Sequence, residues 1–340
     1  MQTVVSPSTA SSHWFRRIVV GLLGVVLMLV LGGFLYENIS EARDSRFNAM
    51  PGRLVDVGGL KMHIDCTGEG SPTVILDSGL GDSYVSWRKV QPQIAKFVRV
   101  CSYDRAGLGY SEISPRPRTS KVIAEELHSL LQAAHIPPPY VLVGHSMAGY
   151  DVRLYTSLYR NEVAGMVLVD ASHPDQEARL PLELKNLEAT QLREGEFLAL
   201  TMPLGVPRLL ALCDEDPVQR AAECNFHSFR EAVAELKALP ESAAQTAATG
   251  TLGDTPLAVL SHDPDKPSAE LPPDLAKPTN DAWEKMQEEL AHLSTRGTQT
   301  IAKNSAHYIQ IDRPDVVIEA VRNVLEQARA AQATEPATTK

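Results

Sequence analysis

The stretch Tyr140-Val-Leu-Val-Gly-His-Ser-Met-Ala-Gly149 constrains the fold more than any other part of the chain. A short β-branched run without a charged residue reads as a buried strand. It stops abruptly in small residues around Ser146. A strand that ends in Gly-x-Ser-x-small and passes into a helix forms a sharp turn that lifts the serine hydroxyl above the sheet. Side chains of any size at such a turn would collide with the adjoining strand or helix. Gly144 and Gly149 meet that demand, and Ala148 replaces the motif's second glycine with the smallest possible departure.

A chain of 340 residues with 44% apolar and 22% charged residues can bury one large α/β domain with an insertion. Its formal charge of −10 and the absence of a Lys/Arg cluster exclude a phosphate-binding face, so no nucleic-acid partner is expected. The beginning of the chain is different. Ile18 to Tyr36 is an unbroken apolar or glycine run, close to the ~20 residues needed to cross a bilayer core as a helix. Arg16 and Arg17 precede it, and Glu37, Glu41 and Asp44 follow. That asymmetry predicts a single membrane anchor with its first residues in the cytoplasm and the remainder on the extracytoplasmic, periplasmic or extracellular side. A cleaved signal peptide is the competing reading, although such peptides have shorter apolar regions of ~7–15 residues. Cys66, Cys101, Cys213 and Cys224 are then permitted to form disulfides, with Cys213 and Cys224 close enough to staple one segment; free buried thiols are the alternative. No C-x-x-C or H-E-x-x-H spacing marks a metal site, and no cofactor is expected.

Along the chain, residues 53–65 read as a hairpin about Gly58-Gly59, and Thr73–Asp77 as a buried strand running into the loop Ser78-Gly-Leu-Gly-Asp-Ser83. A helix over Trp87–Ala95 and a strand over Val98–Tyr103 follow. A helix capped by Thr119 or Ser120 then precedes the strand at Tyr140. Val163–Val169 is another apolar strand, ending at Asp170. Alternating strands and helices predict a largely parallel sheet. The alternation lapses from His173 to Asp254, which has helical spacing and no convincing strand, and resumes at Pro256–Leu260. A proline-rich loop to Pro278, a helix from Asn280 or Asp281 carrying Trp283, Met286 and Leu290 inward, a short strand at Thr300–Ala302 and a helix from Pro314 complete the pattern. The chain thus divides into an N-terminus (1–17), a transmembrane segment (18–36), a linker (37–52), a core (53–172 and 255–329), an inserted helical cap (173–254) and a disordered tail (330–340).

From about residue 53 to 329 the sequence resembles the α/β-hydrolase superfamily, in its cap-bearing, esterase-like branch. The resemblance rests on Ser78-Gly-Leu-Gly81, Tyr103-Asp-Arg-Ala-Gly-Leu-Gly-Tyr-Ser111, Gly144-His-Ser-Met-Ala-Gly149 and the late Ala306-His307 before Asp312-Arg-Pro314. It implies a mostly parallel twisted sheet with helices on both faces and an inserted helical cap. It also implies a nucleophile, acid and base in the order Ser, acid, His.

A serine hydroxyl needs a base within hydrogen-bond reach, and that base needs an orienting group. Ser146 is the expected nucleophile and His307, in the loop after the last strand, the expected base. The acid has two candidate positions: Asp170 at the tip of the strand before the cap, or Asp263, with Asp265 behind it, after the strand that follows the cap. Asp170 is preferred because a carboxylate ending a wholly apolar strand requires a partner. The resemblance assigns the oxyanion donors to the backbone N–H groups of Leu80 and Met147. His145 reads as a structural neighbour; His63, His128, His135 and His227 read as ordinary surface or core residues. The expected activity is serine carboxylesterase action on an apolar small-molecule ester, in a pocket lined by Leu198, Leu200, Met202, Leu204 and Leu209. Amidase or peptidase, thioesterase and lipase activities, or an inert hydrolase-fold binding protein, are the alternatives. Epoxide hydrolases and dehalogenases use an aspartate nucleophile, which this elbow lacks.

Overall fold

The computed structural model describes residues 10–46, 49–266 and 273–334. Helix α1 (Ala10–Asp44) contains the apolar run. It is followed by β1 (Arg53–Asp56), β2 (Lys61–Thr67), β3 (Thr73–Asp77), α2 (Gln91–Ile94), β4 (Val100–Tyr103), α3 (Ser120–Ala133), β5 (Tyr140–His145), α4 (Ala148–Leu158) and β6 (Val163–Val169). Five helices come next: α5 (Gln176–Arg179), α6 (Leu182–Thr201), α7 (Val206–Leu209), α8 (Pro217–Glu223) and α9 (Phe226–Ala247). The chain closes with β7 (Leu257–Ser261), α10 (Pro273–Ala291), β8 (Gly297–Ile301), α11 (Ile309–Asp312) and α12 (Pro314–Thr334).

The strands form one eight-stranded sheet in the order β1-β2-β4-β3-β5-β6-β7-β8. β1, β2 and β4 pair antiparallel, and from β4 through β8 every pairing is parallel. A strand flanked on both sides and covered on both faces must be apolar at every position, which is why β5 reads as a continuous run. Its alternate residues go to opposite cores. Val141 and Val143 join Val74, Val167, Val317 and Val321 on the face covered by α12. Tyr140 and Leu142 join Leu127, Leu131, Val152 and Leu290 on the face covered by α3, α4 and α10.

Several boundaries differ from those expected. The linker proposed for 37–52 is helical through Asp44, because Glu37 and Asp44 are held by Arg208 and Arg220 from the helical insertion. The tail proposed to be disordered from 330 is helical to Thr334, extending α12 through residues that favour helix; 335–340 lie outside the described residues, as do 1–9 of the proposed cytoplasmic N-terminus. α10 begins at Pro273 rather than near Asn280, with Pro278 accommodated inside it. Instead of one helix over 87–95 there is a 3₁₀ turn, Tyr84–Trp87, and the short α2. β8 starts at Gly297, three residues before the expected start, and keeps half-exposed positions because it is the sheet edge. Both cysteine pairs are disulfides: Cys66–Cys101 joins β2 to β4 across directly paired positions, and Cys213–Cys224 closes a loop that contains α8.

Candidate active site

β5, β6 and β7 end side by side, and the site is built on their C-terminal tips. Ser146 follows β5 with φ of +54°, in the left-handed region that a side chain enters only under strain. The turn is held by the Ser146 N–H donating to Val169 O (3.1 Å) and the Ser146 carbonyl accepting from Ser172 N–H (2.9 Å). The small residues have their expected steric cause. A Cβ on Gly144 would lie 2.6 Å from the Ala148 carbonyl oxygen, and one on Gly149 would lie 2.6 Å from the Ala171 Cβ.

His307 Nε2 lies 3.0 Å from Ser146 Oγ, and His307 Nδ1 lies 2.6 Å from Asp170 Oδ2. With Nδ1–H donating to the carboxylate, the Nε2 lone pair faces the serine hydroxyl. Asp170 follows β6, is completely buried, and also has positive φ, +45°. Burial alone would raise its pKa. Hydrogen bonds from His262 and His307, and the charges those imidazoles carry when protonated, outweigh burial and hold the carboxyl far below the usual carboxylate range. The structure therefore brings Ser146, His307 and Asp170 into one hydrogen-bonded line. It sets Asp263 apart: that carboxylate accepts from Lys303 Nζ (3.0 Å) and Asn304 N–H (2.8 Å), and it organises the loop before His307. Asp265 is exposed beside Lys303.

Two groups at the site were missed in the sequence. His262, one residue past β7, donates its backbone N–H (3.1 Å) and Nδ1–H (2.9 and 3.0 Å) to Asp170. Its Nε2 faces Asn280 Oδ1 at 3.4 Å, and the Asn280 amide is oriented by donating Nδ2–H to Pro264 O. With acceptors at both ring nitrogens, the protonated imidazole is favoured; burial opposes protonation, but the Asp170 contact prevails and His262 is raised above its ordinary value. Trp283, expected only as an inward-facing core residue, donates Nε1–H to Asp170 Oδ1 at 2.9 Å. One turn later on α10, Gln287 donates to Ala171 O (2.7 Å), so two side chains of one helix face brace the Asp170 segment. The available signal was adjacency: parallel β6 and β7 put the residue after one strand beside the residue after the other.

The glycine-rich loop is fixed from beneath. Arg105 is almost entirely buried and donates to Asp77 Oδ1 (3.0 Å), Ser78 O and Gly79 O (2.6 Å), while gripping both oxygens of Glu235 on α9 (2.7 and 2.9 Å). Glu235 in turn accepts the Gly81 N–H at 2.9 Å. The neighbours of Leu80 are thereby committed. Among the described residues, no protein acceptor takes the N–H of Leu80 or of Met147. His145 donates Nε2–H to the His307 carbonyl (3.1 Å), and burial, with the charge of His307 nearby, pushes its pKa down to about 3, so it stays neutral. His63 is a core residue paired with Asp104 at 2.7 Å.

A cavity of about 730 Å³ opens beside Leu80, Gly81 and Asp82 and is walled by Leu212, Phe229 and Ala232. None of Leu198, Leu200, Met202, Leu204 and Leu209 lines it. Leu200 is 77% exposed and Leu209 67%, whereas Met202 is fully buried, so the expectation that these five form the pocket wall is corrected. The reason lies in α1: the segment after α6 packs against that helix.

Residues 72–197 match a family model described as alpha/beta hydrolase fold. The uncharacterized proteins YbdG and YqjL of Bacillus subtilis are both 27% identical to this chain. The YbdG match runs over 163 residues, 47% of this chain and 50% of YbdG. The YqjL match runs over 257 residues, 76% of this chain and 85% of YqjL. The chain thus spans half the length of the first relative and most of the second. Among solved structures, a thermophilic esterase from Thermogutta terrifontis superposes with a TM-score of 0.60 at 20% identity, covering 81% of this chain and 98% of the esterase. An epoxide hydrolase shares the same fold.

Proposed function

We propose that this chain, a member of the α/β-hydrolase superfamily, is a serine hydrolase that cleaves an apolar carboxylic ester through an acyl-enzyme on Ser146. The observation that carries the reading is the continuous line Ser146 Oγ, His307, Asp170, at 3.0 and 2.6 Å. As Oγ bonds to the ester carbonyl carbon, His307 Nε2 takes the hydroxyl proton and Asp170 stabilises the imidazolium. The carbonyl electron pair moves onto oxygen, where the Met147 and Leu80 N–H groups are free to donate. Collapse of this intermediate expels the alcohol, which takes the proton from His307. Water, activated by the same imidazole, then releases the acid and restores Ser146. An epoxide or haloalkane reaction would call for a carboxylate at the elbow, and this chain has a hydroxyl there.

The insertion between β6 and β7 acts in this reading as a cap. α1 acts as a retained membrane anchor with Arg16 and Arg17 on the cytoplasmic side. Two disulfides support an extracytoplasmic location for the rest, because such bonds persist in oxidising compartments.

Turnover of a panel of 4-nitrophenyl esters of increasing chain length, with amide and thioester counterparts, tests the reading. Ser146→Ala removes turnover. Asp170→Asn lowers kcat by about 10³–10⁴ by favouring the wrong imidazole tautomer, while Asp263→Asn stays within a few-fold of wild type. Loss of activity in Asp263→Asn alone would transfer the acid role away from Asp170.

A further inference from the structure

The segment that failed to line the pocket has another place. α1 carries the apolar span, and its last apolar turn is not free: a Cβ on Gly33 would lie 2.7 Å from the Leu204 carbonyl oxygen, and one on Gly205 would lie 2.6 Å from the Tyr36 ring. Just beyond the span, Arg208 grips both oxygens of Glu37 (2.9 and 3.0 Å) and also bonds Asp44, which Arg220 Nε joins at 3.1 Å. Glu37 and Asp44 are buried in this contact. The helix that crosses the bilayer is therefore bolted to the insertion at the level where the apolar sequence gives way to charge. That level is the membrane surface for any orientation in which 18–36 spans.

On either side of the seat at Leu204 and Gly205 stand Phe197, Leu200, Leu209 and Leu210, all exposed. Along α6 and the 3₁₀ turn that follows it, Leu200 is only ~6–8 Å from Leu204 by chain rise. The headgroup zone on each side of a bilayer is ~5–8 Å deep. α6, the 3₁₀ turn and α7 pack on one another, and the turn packs on α1, so the large apolar side chains exposed on these elements stand beside the anchor's exit and fit the acyl–headgroup boundary, where an apolar face lies flat on the membrane.

We propose that the face carrying Phe197, Leu200, Leu209 and Leu210 is a lipid-docking surface, seated in the leaflet that α1 leaves, so that the enzyme receives its ester from the membrane. The proposal rests on the anchor and ester readings above. The cavity beside Leu80 fits this route. A second cavity of about 580 Å³, walled by Tyr36, Ser40 and Arg43 of α1, shares Ala211, Cys213, Asp214, Glu215 and Arg220 with the first, so the two adjoin between the glycine-rich loop and the anchor. In the wall of the first cavity Asp214, Glu215 and Glu223 outnumber Arg220, which disfavours anionic headgroups there and favours neutral long-chain esters as the substrate class.

The test uses the full chain in phosphatidylcholine vesicles. Nitroxides placed by Leu200→Cys and Leu210→Cys should collide with oxygen several-fold more, relative to an aqueous nickel complex, than one placed by Lys277→Cys on α10. The double variant L200E/L210E should lose most turnover of vesicle-borne 4-methylumbelliferyl oleate and keep that of soluble 4-methylumbelliferyl butyrate. Aqueous nitroxides at 200 and 210 in protein that resists carbonate extraction overturn the docking surface alone. Equal effects on the two esters overturn the membrane route. Extraction of the full chain by carbonate overturns the anchor reading, and the docking surface with it. Absence of Ser146-dependent turnover on either ester overturns the ester reading separately.

Discussion

Asp170 accepts hydrogen bonds from His307 Nδ1, His262 Nδ1, the His262 backbone N–H and Trp283 Nε1 on two carboxylate oxygens. This crowd of donors lets a wholly buried carboxylate stay ionised, and it has a thermodynamic signature. The folded pKa of His262 is raised, so its charged contact contributes stability that is fully present below the unfolded value near 6.5 and is lost as pH rises through the folded value. Asp170 is lowered, so its share is present above the ordinary carboxylate range and fades only in strong acid. His262→Gln should therefore depress Tm most between about pH 4 and 6.5, and the gap from wild type should narrow as pH rises through the raised folded value. A gap that is constant across that range would contradict the assignment of charge to His262. At this scale the sequence was legible where a residue sits on a motif, as Ser146 and His307 do. It was opaque where the role comes from a neighbouring strand. The segment Ser261-His-Asp-Pro-Asp265 drew attention to its carboxylates, but Asp263 serves the local loop and the histidine between the carboxylate and the strand faces Asp170.

Among the elements, the loop after β3 and helix α9 depend on one another through Arg105. Its guanidinium satisfies Asp77, two loop carbonyls and Glu235, all buried, and it substitutes for the water each of them would otherwise need. Burial pushes the Asp77 carboxyl up to about 6 even with Arg105 opposite it, so removal of the cation would leave two carboxylates without compensation. Arg105→Met should cost about 3–5 kcal/mol in denaturant unfolding, and adding Glu235→Met to Arg105→Met should recover part of that loss. A cost below 1 kcal/mol would mean that the cluster is not a unit. The strands themselves were legible because burial on both faces demands an apolar run, as in Val141-Leu-Val143 and Val167-Leu-Val169. The helix from Glu37 to Asp44 was not: its polar composition reads as a linker, and the arginines that order it lie more than 160 residues away.

In the whole molecule, a core of ordinary composition carries an insertion whose ties include Glu235 to the loop after β3, Arg208 to α1, and Cys213–Cys224 within the insertion itself. Cys66–Cys101 closes 35 residues and Cys213–Cys224 closes 11, so chain entropy assigns them about 4 and 3 kcal/mol. Reduction should lower Tm. Cys213→Ser with Cys224→Ser should loosen the insertion, seen as faster hydrogen exchange over α7 and α8 while the sheet stays protected. Uniform loosening would mean that insertion and core unfold together. Activation of the Ser146 hydroxyl by His307 is measured by reaction with a fluorophosphonate followed by peptide mass mapping. One adduct is expected, on Ser146, formed by the wild type and lost on His307→Gln. Folded protein that forms no adduct, or forms it equally without His307, would contradict that activation.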